Sequence, residues 1–273
     1  MSVFFRFIAV MLALLSTPGW AANPQRIVSI GLCTDQLLLM LAEREQIASV
    51  SVWARDRNMS YMIDAVGDIP LNNASIEEII RFEPDLVVAS EFVAWDTVSL
   101  LRQLGFAVKQ VPLVTSVDEI YALLVQFGTW TGNQQRAQVM VERMRRRLAD
   151  IEARYAASPA PSVIIYSPNG FTSGADTLEN DLFLRAGYRN LAAEMGISGF
   201  QAISLEELVA ADPDVLQIDR RLSPQNSLAT ATLQHPVLEK LIRHRAYLDI
   251  PTRLRICAGP MIVDAIEMMA ARR

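Results

Sequence analysis

The hydrophobic and polar positions of this chain follow one pattern twice. Residues 75–90 read SIEEIIRFEPDLVVAS and residues 204–219 read SLEELVAADPDVLQID, so Ser, two Glu, two aliphatic residues, Pro-Asp and an aliphatic run recur in order. In each copy the Ser and the second Glu form a capping box, which predicts the start of a helix. Proline then ends the helix, and the apolar run after it is typical of a strand buried on both faces. The repeat predicts two halves built on one plan.

Each half also opens with a predicted strand, loop and helix. These three segments lie at residues 26–30, 31–35 and 36–42 in the first half, and at 162–166, 167–176 and 177–186 in the second. Strands that alternate with helices predict parallel sheets covered on both faces. We therefore expect an α/β fold of two Rossmann-like lobes.

A long helix is predicted between the halves, at residues 132–157, because apolar residues recur near the helical period without Pro or internal Gly. Four of its arginines, Arg143, Arg145, Arg146 and Arg147, alternate with acidic residues, which favours a solvated helix face over an anion site. A helical connector predicts lobes at nearly fixed spacing with a small hinge motion. The expected division of the chain is a signal peptide at 1–21, an N-terminal lobe at 22–131, the connecting helix at 132–157 and a C-terminal lobe at 158–273.

The first residues are typical of a secretory signal peptide that is cleaved after Ala21. Arg6 precedes an apolar run at residues 7–15, and small residues follow it. The run is shorter than the roughly 20 apolar residues that a membrane-spanning helix requires. We expect an exported, soluble product.

The composition and the absence of common motifs narrow the classes of function that this chain can have. The chain has 273 residues, 51% of them hydrophobic, and a net charge of -5, which is typical of a folded protein and unfavourable for nucleic-acid binding. Two histidines are too few for a His-rich metal site, and no HExxH, CxxC, GxSxG, GxGxxG or P-loop pattern occurs. We expect a binding protein with no metal centre and no cofactor, with an exported enzyme as the alternative because a catalytic carboxylate pair leaves no short motif.

The loops after the predicted strands are the candidate ligand contacts, because ligands of open parallel sheets bind beyond the carboxyl ends of the strands. These loops are rich in aromatic residues and arginine, which suits a large ligand that is partly apolar and partly anionic. Each residue taken singly could instead serve packing or solvation. The predicted ligand contacts are Cys33, Thr34, Trp53, Arg55, Trp95, Asn169, Phe171, Arg220, Arg221 and Cys257.

Several blocks of the sequence together resemble the substrate-binding proteins of ABC importers for iron chelates and cobalamin. The blocks, in chain order, are RIVSIGLCTDQLLLMLA, SIEEIIRFEPDLVVAS, GADTLENDLFLRAGYRNLAA, SLEELVAADPDVLQID, HPVLEKL and CAGPMIVDAIEMMA. The resemblance implies two α/β lobes bridged by one long helix, with the ligand in the cleft between them. It also implies a periplasmic, monomeric protein that delivers its ligand to an ABC permease.

The resemblance implies docking residues as well. Family members present one glutamate per lobe to arginines of the permease dimer, and the matching residues here are Glu77 and Glu206. One acidic contact per lobe suits a two-subunit partner. The same glutamates also favour the positive ends of their helices, and the two roles are compatible.

The implied ligand is a ferric siderophore or a corrinoid. Haem is the alternative within the family, held through Tyr61 or Tyr166, because tyrosinate can ligate ferric iron. A sensor protein that presents its ligand to another receptor is a third possibility. The resemblance places Cys33 and Cys257 near the cleft, where three states remain open: a disulfide, two free thiols packed as small apolar groups, or thiol contact with the ligand or its metal.

Overall fold

Two parallel sheets form the centres of two lobes in the computed structural model, which describes residues 23–155, 159–218 and 228–273. The predicted fold class is confirmed. The predicted signal peptide and the candidate ligand contacts Arg220 and Arg221 lie outside the described residues. No helix within the described ranges is long and apolar enough to cross a membrane.

The first lobe is a five-stranded parallel sheet in the order β3-β2-β1-β4-β5. The chain starts at its centre with β1 and reverses direction across the sheet between β1 and β4. The elements of this lobe are β1 (Ile27–Ser29), α1 (Leu32–Leu41), β2 (Ile47–Ser51), β3 (Leu71–Asn72), α2 (Ile76–Arg81), β4 (Leu86–Ser90), α3 (Trp95–Gln103), β5 (Val108–Val111) and α4 (Val117–Thr131).

The connecting helix α5 (Gln134–Tyr155) leads to the second lobe, a four-stranded parallel sheet in the order β11-β10-β6-β8. A two-stranded antiparallel ribbon of β7 and β9 lies beside it. The elements of this lobe are β6 (Ser162–Tyr166), β7 (Phe171–Ser173), α6 (Leu178–Arg185), β8 (Arg189–Asn190), α7 (Leu191–Glu194), β9 (Phe200–Ala202), α8 (Leu205–Ala211), β10 (Val215–Ile218), α9 (Pro236–His244), β11 (Ala246–Leu248) and α10 (Ile262–Ala270).

The repeated capping boxes form differently in the two lobes. In α8 the Ser204 hydroxyl accepts from the Glu207 amide at 3.1 Å, and the Glu207 carboxylate accepts from the Ser204 amide at 2.7 Å. In α2 the Ser75 hydroxyl accepts from the Glu78 amide at 3.4 Å, but the Glu78 carboxylate accepts from Asn73 instead. The second predicted box is therefore reciprocal and the first is one-sided.

Helix α1 begins earlier than the sequence pattern predicts. Residues 31–35 were expected as a loop, but the helix starts at Leu32, with Gly31 before it in extended conformation. Asp35 is fully buried in its first turn and accepts hydrogen bonds from the Ser51 amide and hydroxyl at the end of β2. Burial raises the pKa of Asp35 to about 6 despite these hydrogen bonds. A buried polar residue that bonds a neighbouring strand leaves no periodic signal, which is why the pattern missed this turn.

One hydrophobic core runs through both lobes, and α5 packs along it. The buried residues of α5 are Ala137, Val141, Met144, Leu148 and Ile151, spaced three or four apart on one face. The same cluster contains α1 and α4 of the first lobe and α6 and α10 of the second. Because the lobes share a core, we expect them to unfold together.

Ion pairs tie the connecting helix to the second lobe and also join the two lobes. Arg147 of α5 pairs with Asp264 and Glu267 of α10 at 2.8 Å each. The sequence predicted a solvated helix face for this arginine, and these ion pairs correct that prediction. Its hydrogen bond holds the pKa of Glu267 below the usual range. Arg185 of α6 pairs with Asp118 of α4 at 2.9 Å. These contacts favour a small relative motion of the lobes.

Candidate ligand site between the lobes

A cavity of about 590 Å³ lies between the lobes, at the carboxyl ends of strands from both sheets. We call it the interlobe cavity. In the first lobe it is lined by the start of α1 and by the loops after β4 and β5, at residues 90–93 and 111–115. In the second lobe its walls are residues 171–173 and 176–179, together with Arg255, Ile256 and Ala258. Its size falls in the range of small-molecule sites, and its position beside the β1/β4 reversal is where open α/β sheets bind ligands.

Part of the wall of the interlobe cavity consists of large apolar side chains that are exposed to solvent. Phe92 is 76% exposed, Phe200 65% and Phe171 45%, and Leu113 is also exposed. Large apolar side chains that cluster around a concavity mark a binding surface rather than ordinary surface composition. These walls can stack on or enclose a ligand with extensive apolar faces.

Thr172, Glu179 and Arg255 are polar and buried lining residues of the second lobe, and we call them the floor of the cavity. The Glu179 carboxylate accepts from Arg255 Nη1 at 3.3 Å and from Gln217 Nε2 at 2.7 Å. The side chains of Glu179 and Arg255 are only 9% and 8% exposed. Thr172, on β7, also lines the cavity, and its hydroxyl has no hydrogen-bond partner among the described residues.

Cys33 and Cys257 form a disulfide, with their Cα atoms 5.1 Å apart. The sequence left three states open for these cysteines. The disulfide is the one that the structure shows, and the two alternatives, free thiols and thiol contact with a ligand, are wrong. Cys33 stands in the first turn of α1 and lines the cavity, whereas Cys257 is buried behind the cavity wall. The bond links the first lobe to the second directly beside the site.

Of the ligand contacts predicted from the sequence and described in the structure, Cys33 and Phe171 line the interlobe cavity. Thr34 is fully buried, accepts from the Ser29 hydroxyl and donates to the Gly31 carbonyl, so it faces the interior of the lobe. Asn169 is exposed in the turn at 168–170 and is not part of the lining.

Three other predicted contacts lie away from the lining for a topological reason. Trp53, 54% exposed, and Arg55, which donates to the Gly67 carbonyl, follow β2. In the sheet order β2 lies on the far side of β1 from β4 and β5, whose loops form the cavity. Trp95, 70% exposed, begins α3 after Ala94, whose φ of 53° turns the chain away from the cavity loop.

The tyrosines predicted as haem ligands are not at the cavity. Ile165 lines it, and because side chains alternate along a strand, Tyr166 points to the opposite face, where it is 1% exposed. Burial raises the pKa of Tyr166, which disfavours tyrosinate. Tyr61 donates to Asp264 at 3.1 Å and lines a separate pocket of about 200 Å³.

Sequence reasoning missed several residues of the cavity, among them Leu113, Glu179, Phe200 and Arg255. Leu113 follows Pro112 at the end of β5, so the strand-end rule could have found it. Glu179 and Phe200 stand in a helix and in the antiparallel ribbon, where no strand-end signal applies. Across the described part of the chain, no group of three or more His, Cys, Asp or Glu is arranged to hold a metal ion.

Glu77 and Glu206 occupy equivalent exposed positions in the first turns of α2 and α8. Thr97 of α3 donates to the Ala74 carbonyl at 2.9 Å, which holds the start of α2 beside the end of β4. The Ile203 amide bonds the Gly170 carbonyl at 3.0 Å, which holds the start of α8 beside the end of β6. Neither glutamate makes an ion pair within the described residues. Glu77 and Glu206 are thus exposed carboxylates at equivalent places in the two lobes, at the edge that carries the cavity.

The sequence profile of the family described as periplasmic binding protein matches residues 27–252. The cobalamin-binding protein of Halobacterium salinarum is 28% identical over 198 residues, a match covering 71% of this chain and 54% of the relative, so the chain spans about half of that relative's length.

Two solved structures share the fold. A possible iron-binding periplasmic solute-binding protein from Staphylococcus epidermidis superimposes with a TM-score of 0.76 at 21% identity, covering 92% of this chain and 98% of the other. A periplasmic heme-binding protein from Pseudomonas aeruginosa gives a TM-score of 0.70 at 26% identity, covering 91% and 92%.

Proposed function

The chain belongs to the periplasmic binding protein family, as the sequence resemblance predicted, and from this premise we propose that it captures a metal chelate in the interlobe cavity and delivers it to an ABC permease. The observation that carries the proposal is the cavity at the strand ends, walled by exposed phenylalanines from both lobes. Such walls suit the broad apolar faces of a corrinoid or of a hydrophobic ferric siderophore. The ligand contacts in this proposal are Phe92, Phe171, Phe200 and the Cys33 end of the disulfide.

Haem is the second candidate, and the similarity to the heme-binding protein of Pseudomonas aeruginosa favours it. Haem iron in proteins is held by His, Cys thiolate, Met or Tyr. The described residues that line the interlobe cavity include no His, Met or Tyr, and the one cysteine among them is in the disulfide. A corrinoid or a siderophore brings its own metal ligands, so it needs none from the protein. This difference favours the chelates over haem.

Delivery to the permease would use Glu77 and Glu206. Their equivalent positions, one per lobe at the cavity edge, support simultaneous contact with two permease subunits. Exposed carboxylates outside local ion pairs can engage partner arginines without first breaking contacts within the protein. We also propose export with cleavage after Ala21, checked by N-terminal sequencing, and a monomeric product, checked by light scattering.

The first experiment is a binding titration of purified protein, freed of ligand by unfolding and refolding, with cyanocobalamin, ferrichrome and haemin. Saturable binding of a chelate with a stoichiometry near one supports the proposal, and mass spectrometry should recover that chelate unchanged. Chemical turnover would favour the exported enzyme instead. Binding of none of the three would refute capture of a chelate. A genome neighbourhood without permease and ATPase genes would favour the sensor role.

The second experiment separates binding from delivery. Glu77→Lys and Glu206→Lys should abolish chelate uptake in cells and leave chelate affinity in solution within about twofold, because both side chains are outside the cavity. Glu142→Lys is the matched control, since Glu142 is also an exposed glutamate but lies on α5. Uptake that persists in both docking variants, or that falls equally in the control, would contradict docking through these glutamates.

A further inference from the structure

Among the described residues, the charges that line the interlobe cavity are predominantly negative. Among the described lining residues there are three carboxylates, Glu91, Asp176 and Glu179, and one guanidinium, Arg255. The single positive charge is already paired with Glu179. A ligand carboxylate placed on this floor would therefore meet a neutralised arginine and nearby like charges, without a net positive charge from the described lining residues to compensate it.

The floor nevertheless offers directed hydrogen bonds. Glu179 is an acceptor whose orientation is fixed by Gln217 and Arg255. Thr172 is 1% exposed, and its hydroxyl can donate or accept. A buried hydroxyl without a partner is costly unless a bound group satisfies it, and Thr172 lines the cavity, so a rotation of its side chain toward a bound ligand would satisfy this hydroxyl.

The chemical complement of this floor is a group that donates and accepts without charge. A primary or secondary amide has an N–H for the Glu179 carboxylate or the Thr172 hydroxyl and a carbonyl for a hydroxyl donor. A carboxylate has no donor for Glu179 and adds a repulsive charge. Sites that hydrogen-bond one group discriminate strongly against an analogue that leaves their buried polar atoms unpaired.

We propose that Thr172, Glu179 and Arg255 form a specificity floor that selects chelates with neutral amide groups over chelates with carboxylates. This inference rests on the proposed function and narrows it. It assigns Glu179 a role as the specificity-determining residue, with Arg255 and Gln217 as the groups that position its carboxylate.

The test compares matched pairs of chelates at pH 7.5 by isothermal titration calorimetry. The first pair is cyanocobalamin and its monocarboxylic acid derivatives, in which one side-chain amide is hydrolysed. The second pair is ferrichrome, whose periphery is neutral, and ferric citrate. In whichever pair binds, the wild type should hold the neutral member roughly tenfold or more tightly than the carboxylate, a ratio worth about 1.4 kcal/mol.

Glu179→Gln should reduce that ratio several-fold or reverse it, because it removes a negative charge that repels a ligand carboxylate. Glu194→Gln is the matched control, since Glu194 is outside the cavity lining and should leave the ratio unchanged. If Glu179→Gln does not fold, as judged by circular dichroism, Thr172→Val tests the same floor. It should weaken the neutral chelate and leave the carboxylate chelate unaffected.

The outcomes separate the two proposals. Tighter binding of the carboxylate members, or of haemin with its two propionates, would overturn the inference and leave capture of a chelate standing. An unchanged ratio in both Glu179→Gln and Thr172→Val would also overturn it. Binding of no chelate would refute the proposed function and the specificity floor with it.

Discussion

The disulfide between Cys33 and Cys257 allows a quantitative prediction about stability. It closes a loop with a sequence separation of 224 residues. In the chain-entropy model of disulfides, closing a loop of this length removes about 5 kcal/mol of unfolded-state conformational freedom at 25 °C. Measured losses on removing disulfides are usually somewhat smaller than this model gives. We therefore expect Cys33→Ala/Cys257→Ala to lower the free energy of unfolding by ~3–5 kcal/mol.

Urea unfolding followed by circular dichroism measures this effect directly. The hydrophobic core is shared by both lobes, so a single cooperative transition is expected and the two-state treatment applies. The variant should also show a larger denaturant slope, because an unfolded chain without the cross-link exposes more surface. In a thermal scan the same loss corresponds to a midpoint roughly 10 °C lower for a protein of this size.

Reduced wild type is the matched control, because it loses the covalent link while keeping both sulfur atoms in the core. It should lose stability to within about 1 kcal/mol of the double variant, and reductant should not affect the double variant. A wild type with the same urea midpoint in oxidised and reduced forms would refute the reasoning. Two separate transitions would show instead that the lobes do not unfold as one unit.

Two further predictions concern local stability. Ser204→Ala removes a hydroxyl that accepts from the Glu207 amide at 3.1 Å and should cost about 1 kcal/mol of unfolding free energy in urea, whereas Ser75→Ala should cost less because its hydroxyl accepts from the Glu78 amide at a longer 3.4 Å. Equal losses in the two variants would contradict this ranking. The raised pKa of Asp35 means that the folded protein binds its proton more tightly than the unfolded chain, so its contribution to stability is lost as pH rises from about 4 through about 6. Relative to Asp35→Asn, the wild type should lose up to about 3 kcal/mol between pH 4 and pH 7, and a pH-independent difference between the two would refute the assignment.

The sequence by itself determined the fold class and most of its elements. The strands at residues 86–90 and 215–218 and the helices before them follow from patterns that repeat within a few residues, namely the Ser and Glu of a cap, a proline stop and a continuous apolar run. Such signals are local because backbone hydrogen bonding and burial of one face depend on near neighbours in the chain. The connecting helix was predictable for the same reason.

Only the tertiary structure decided which residues meet at the site. Trp53 and Phe92 both follow strands and look equivalent in the sequence, but the order of strands in the sheet brings only the loop of Phe92 to the cavity. The pairing of Cys33 with Cys257 and of Glu179 with Arg255 joins residues far apart in the chain, for which no local pattern exists. The position of a cavity depends on how two sheets face each other across a shared core, and that arrangement is set by packing over the whole molecule rather than by any one segment.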